Sequence, residues 1–203
     1  MPAVWPTFIS SVGAYLNNPS EGKTEEQTAE KIASAYHTAV STTQIILYPN
    51  LVMVRPPYQP LKSAILKTFN DIKNSEKKAR PEQFTDWAKA VVNYWKQSQF
   101  SPVPFHPQSM IESTGTAGVP IPITNMVTNG GDVNKLKRDL HKVFDHEPQK
   151  IKYGIPFATD LSTAFISHLQ GVKGEHKLTV IPGTPATPGP PIVAKPFKWS
   201  GLV

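Results

Sequence analysis

With no cysteine among its 203 residues, this chain leaves metal or nucleophilic chemistry to its six histidines, its carboxylates and its hydroxyls. The tempting ligand cluster is His141, Asp145, His146 and Glu147. His141 and Asp145 stand four residues apart, so on a helix both could reach one metal ion from the same face. No second cluster at ligand spacing completes a coordination set, and Leu140, Val143 and Phe144 mark the opposite, apolar side of the segment. The cluster therefore reads as a solvated polar face near a helix end. His168 falls on the apolar side of its own helical pattern and is expected as a hydrogen-bonded residue at the core edge rather than a base. His37 and His106 have no partner nearby in sequence.

Hydroxyl and phosphate chemistry fare no better. Ser20-x-x-Lys23 and Ser75-x-x-Lys78 match a serine–lysine spacing, but the motifs that accompany it in that enzyme class are absent. Neither a Gly-x-Gly-x-x-Gly nor a Gly-x4-Gly-Lys-Ser/Thr run is present, and Thr114-Gly115-Thr116-Ala117-Gly118 lacks the lysine that a phosphate loop needs, so it reads as a turn. Lys77-Lys78-Ala79-Arg80 and Lys135-x-Lys137-Arg138 could touch phosphates, yet Glu76, Glu82 and Asp139 dilute them. They read as solvated helix faces. No residue is assigned a catalytic, cofactor-binding or metal-ligating role, no cofactor is expected, and the chain is expected not to be an enzyme.

The elements that would position such groups are mostly helices. Pro6 suits a first turn, with Phe8, Val12, Tyr15 and Leu16 on one face, and Asn17-Asn18-Pro19 as a stop. Thr24 and Gln27 have the spacing of a capping box, followed by Ala29, Ile32, Ala33, Tyr36, Ala39 and Val40 at helical period until Pro49. Pro60 opens a third helix through Leu61, Ile65, Phe69 and Ile72. Pro81 leads a fourth, with the stripe Phe84, Trp87, Ala88, Val91, Val92 and Trp95. After Asn129-Gly130-Gly131, helix returns from Asp132 to before Pro148, and a last one is predicted over residues 159–170.

Between and after these runs the grammar is that of proline, of which there are 21, about twice the usual ~5% share. Ser101-Pro102-Val103-Pro104 and Val119-Pro120-Ile121-Pro122 alternate proline with other residues, which predicts polyproline-like or edge-strand segments. A loop of that length is uncommon inside a compact domain and is expected to pack across another surface. Lys177-Leu178-Thr179-Val180-Ile181 is a candidate strand in the tail. Pro57-Tyr58 before Leu61 faintly echoes Pro156-Phe157 before Leu161, but the match needs a one-residue shift and is taken as coincidence. The expected fold is mainly α, a small helical bundle with long proline-rich extended arms and a few short edge strands. Its parts are a bundle over 1–97, an extended connection over 98–131, a two-helix segment over 132–173 that packs on the bundle, and a C-terminal arm over 174–203.

That arm keeps Ile181, Ile192, Phe197, Trp199 and Leu202 around Pro190 and Pro191, although its composition cannot make a core. A spacer has no need of large apolar residues. On a stiff backbone they suit docking to a partner, because little conformational entropy remains to be lost. These seven are the predicted partner-binding residues. The net charge of +6 is concentrated in 61–100 and 133–180, which permits contact with nucleic acid without requiring it. Nucleic acid is not expected as a partner. The first residues lack the pattern of a secretory signal, and no apolar run approaches the ~20 residues that cross a bilayer, so a soluble protein without a membrane partner is expected.

Trp5-Pro6-Thr7-Phe8, the alanine-rich stretch over 28–40, Trp87-Ala88-x-Ala90 with Tyr94-Trp95, Tyr153-Gly154-x-Pro156-Phe157-Ala158, and the close Pro196-Phe197-Lys198-Trp199-Ser200-Gly201 together carry a resemblance. The chain resembles small virion structural proteins of tailed bacteriophages with contractile, T4-like tails. That resemblance implies a subunit of a neck, tail, baseplate or capsid surface, assembled in the host cytoplasm. Its partners would be other virion structural proteins or copies of itself, and it implies no active-site residues. The alternative is a soluble adaptor that presents its proline-rich arm as a ligand to a partner domain.

Overall fold

The structure, a computed structural model, describes residues 3–17, 22–43, 51–75, 79–102, 118–120, 124–145, 153–177, 179–184, 187–188, 192–193, 197–200 and 202. Its helices start where local chemistry dictates. α1 (Trp5–Leu16) has Pro6 in its first turn, where a missing N–H costs nothing. α2 (Glu25–Ala39) begins in a reciprocal capping box: the Gln27 N–H donates to Thr24 Oγ1 at 3.1 Å and the Thr24 N–H to Gln27 Oε1 at 3.0 Å. α3 (Gln59–Lys73) has Pro60 in its first turn, and α4 (Thr85–Gln97) follows a 3-10 turn over Pro81–Phe84. α5 (Val133–Phe144) is capped by Asp132, whose carboxylate accepts from the N–H groups of Asn134 and Lys135. α6 spans Gly154–Leu169.

Each helix packs on the next in chain order, and α6 returns to α1, so the six close into a ring. The ring surrounds Phe8, Tyr36, Trp87, Trp95 and Phe165, all of them buried. The Phe165 ring meets Tyr36 edge-on at 4.6 Å and Phe8 at 5.8 Å, the aromatic geometry that pairs a positive edge with a negative face. The fold is mainly α, a small helical bundle, as the apolar periodicity predicts.

Strand content exceeds that expectation. β1 (Leu51–Val54), β2 (Gln99–Pro102), β4 (Thr124–Asn129), β5 (Lys173–Lys177) and β9 (Phe197–Ser200) form a fully antiparallel sheet in the order β1-β2-β4-β5-β9. β3 (Gly118–Pro120), β6 (Thr179–Thr184), β7 (Thr187–Pro188) and β8 (Ile192–Val193) form a second one around β6.

Register fixes which end of the first sheet is which. Leu51 pairs with Pro102, Thr124 with Lys177, and His176 with Phe197, so these residues share one end. At the other end the chain meets the helices: β1 leads to α3, α4 to β2, β4 to α5 and α6 to β5. After β9, Leu202 donates its N–H to the Leu169 carbonyl at the close of α6, at 3.3 Å. Two long connections leave from the end away from the helices, residues 103–123 between β2 and β4 and residues 178–196 between β5 and β9. The pairs Gly118–Pro182, Val119–Ile181 and Pro120–Val180 join these two connections to each other.

Three expectations change. The last helix begins at Gly154 rather than near 159, because Gly154 takes φ +61° and lets Pro156 fall within the first turn. Pro156 and Phe157 thus lie inside a helix while Pro57 precedes one, so the two do not hold equivalent places. The segment 98–131, expected as an extended connection with polyproline-like or edge-strand stretches, supplies β2 and β4 to the sheet interior. Those strands hold one proline, Pro102 at the end of β2, so the prolines flank the ladder instead of interrupting it. The tail 174–203 is not one extended arm: most of β5, all of β9 and Leu202 belong to the body.

Candidate functional site

Several of the titratable groups singled out in the sequence are held in structural roles. His141 Nε2 lies 2.9 Å from the Ala79 carbonyl oxygen, and its ring meets Phe84 edge-on. His146 and Glu147 lie outside the described residues, and among the described residues no three histidine or carboxylate side chains come together to hold a metal ion. Ser20, Lys78, His106 and the 114–117 part of the glycine loop also lie outside. Lys23 donates to the Tyr15 carbonyl and lies over the Tyr15 ring, 4.4 Å from its centroid. Lys135 donates to Asp139 at 2.8 Å and to Ser167, which ties α5 to α6.

His37 does have a partner, which its sequence neighbourhood gave no sign of. Its Nδ1 lies 2.8 Å from the Tyr94 hydroxyl, 57 residues on, and its ring stacks at a tilt on Tyr58. Burial, and after it the Arg55 guanidinium, lower the His37 pKa, while burial raises that of Tyr94, so the pair stays neutral at neutral pH. Tyr58 in turn donates to Glu30 at 2.6 Å, and this bond lowers the carboxyl's pKa. The chain of contacts cross-links α2 and α4 with the residues between β1 and α3.

A surface of another kind lies where α1 ends and α6 begins. Leu16, Ile32, Phe69, Val143, Phe144 and Phe157 line a groove with an open volume of about 410 Å³. Phe144 shapes it, meeting Phe157 edge-on at 5.2 Å and Phe69 at 6.1 Å. Gly154 sets its lip: the positive φ turns the chain into α6 beside Asn17 and leaves Tyr153 and Ile155 64% and 52% exposed. Rim charges are engaged, since Glu25 accepts from Lys73 at 2.5 Å, which lowers the Glu25 pKa. The groove can take an apolar group and offers no proton-transfer or coordination chemistry along its apolar wall.

The predicted partner-binding residues divide between two places. Leu202 is 4% exposed and packs in the chain's own core, so it is not an exposed anchor. Phe197 and Trp199 stand in β9, paired along the backbone with His176 and Gly174. Ile181 and Ile192 stand in the second sheet, opposite Val119 and Val180. Pro190 and Pro191 lie outside the described residues. The strands of that second sheet meet one another, and no extensive contact among the described residues ties them to a helix.

No helix among the described residues is long and apolar enough to cross a membrane. No family model matches this chain, and neither a curated protein nor a solved structure does.

Proposed function

We propose that this chain is a non-enzymatic structural subunit of a virus particle, one that docks by its helical body and clamps neighbouring subunits with its proline-rich connections. The partners are other virion structural proteins or further copies of the chain. The observation that carries this reading is the strand register. Both proline-rich connections leave the five-stranded sheet at the end away from the helices and pair with each other through β3 and β6. A small sheet of short strands gains little stability of its own without packing on a helix or another sheet. Contact with a neighbouring subunit would supply what the body does not. Stiff backbone with spaced apolar residues then docks at a low entropic cost. The apolar groove beside Tyr153, and the outer edges of β1 and β9, unpaired among the described residues, are further contact surfaces of the body.

The test is to excise the longer-range part without touching the body. Lys177 and Phe197 belong to adjacent antiparallel strands, so a short glycine-containing turn can join them in place of residues 178–196. The shortened chain should keep the helical spectrum and a cooperative unfolding transition, and should fail to enter particles. Entry at the level of the intact chain would overturn the proposal.

A further inference from the structure

β4 leaves the sheet at Asn129 and reaches the Asp132 cap of α5 through Gly130 and Gly131. This turn is seated directly on two helices. A Cβ at Gly130 would come within 2.1 Å of the Val92 carbonyl oxygen of α4. One at Gly131, where φ is +100°, would fall 2.3 Å from Cε1 of His168 on α6. His168 is 3% exposed, and its ring hydrogen-bonds to the Gly130 backbone. Its Nε2 is buried with no hydrogen-bond partner among the described residues. The neutral ring with its proton on Nδ1, donating to the Gly130 carbonyl, satisfies this arrangement.

We propose that His168 and the Gly130–Gly131 turn form an acid-released latch between the five-stranded sheet and the helices. A proton taken up from solvent at Nε2 places a charged donor where no acceptor stands among the described residues. The closed corner cannot relax around that proton, because both glycines already stand at contact with α4 and α6. Opening the turn brings the ring to water. The charged groups facing the ring come from α5 and oppose each other, Asp132 favouring the imidazolium and Lys135 disfavouring it. Val92, the contact from α4, carries no charge.

Burial pulls the His168 pKa from 6.5 down to about 4. The folded value lies below the unfolded one, so the latch is fully closed above the unfolded pKa and is progressively released as pH falls toward the folded one. Because the closed ring is itself half protonated near pH 4, the same shift corresponds to a roughly 100-fold increase in opening between pH 7 and pH 4. Asp132 remains ionised over most of this range, because the Lys135 and Asn134 N–H groups lower its pKa.

Two measurements on the intact chain decide the matter. The Cε1 proton resonance of His168 should titrate with a midpoint well below 6, and amide protection at Gly131 and along β4 should fall by about 100-fold between pH 7 and pH 4. His168→Asn keeps a donor near the Nδ1 position and cannot take up the proton, so its corner should lose no more than about tenfold protection across that window. A ring that titrates near 6.5 with the corner still protected would overturn the latch, as would identical pH curves for wild type and His168→Asn. If the variant does not fold, the wild-type titration and exchange together still decide.

Discussion

Tyr36 accepts the indole N–H of Trp95 at 2.7 Å in a region where both side chains are fully buried. Burial holds the Tyr36 hydroxyl well above its usual pKa, so it acts as a neutral acceptor. Tyr36→Phe keeps the ring and its edge-on contact with Phe165 but leaves the indole N–H without a partner. A buried donor left unsatisfied costs about 1–3 kcal/mol, and that is the expected loss of stability. Denaturant unfolding with an unchanged slope would report it, and a loss below about 0.5 kcal/mol would contradict the assignment. The sequence placed Tyr36 and Trp95 on apolar faces and left their partners open, because they stand 59 residues apart. His37 was illegible for the same reason, since it needs Tyr94; the buried, hydrogen-bonded place of His168 was legible from its helix face, but its partner, the Gly130 turn, does not follow from spacing along one element.

At the scale of elements, signals confined to a few neighbouring residues could be read directly. The Thr24 capping box, Pro60 in a first turn and the Asp132 cap each form the local contacts that their residue types favour. α6 was placed too late because its start depends on Gly154 rather than on a polar cap. Gly154→Ala separates two possible reasons for that glycine. A Cβ there would lie 1.5 Å from Asn17 Oδ1, but that atom is the end of a side chain that can move, whereas φ +61° is fixed by the backbone. The expected cost is about 1–2 kcal/mol, the penalty for a left-handed alanine. Gly154→Ala combined with Asn17→Ala should recover less than half of it in thermal or denaturant unfolding. Full recovery would show that the clash, not the conformation, sets the requirement. The prolines around β2 and β4 marked residues 98–131 as an extended connection, while the interior position of these strands follows from long-range pairing that no local pattern encodes.

On the scale of the molecule, the helices and the second sheet lie at opposite ends of the β1-β2-β4-β5-β9 ladder, and they should differ in how readily they open. β2, β4 and β5 are interior strands, and Phe100 and Val127 bring β2 and β4 into the apolar core. At neutral pH, with the His168 corner closed, their amides should be among the slowest of the described residues to exchange. β3, β7 and β8 are short strands that pair only with β6 and have no extensive helix contact among the described residues. Opening them breaks few bonds and exposes little of the bundle core. In the isolated chain the amides of Val119, Thr187, Ile192 and Val193 should therefore exchange at least about tenfold faster than those of β4, a gap of about 1.4 kcal/mol. Incorporation into a particle should close that gap if a neighbour clamps the second sheet. Equal protection of both sheets in the isolated chain would mean that the body itself stabilises the proline-rich connections, and the reason for assigning them to a neighbour would be gone.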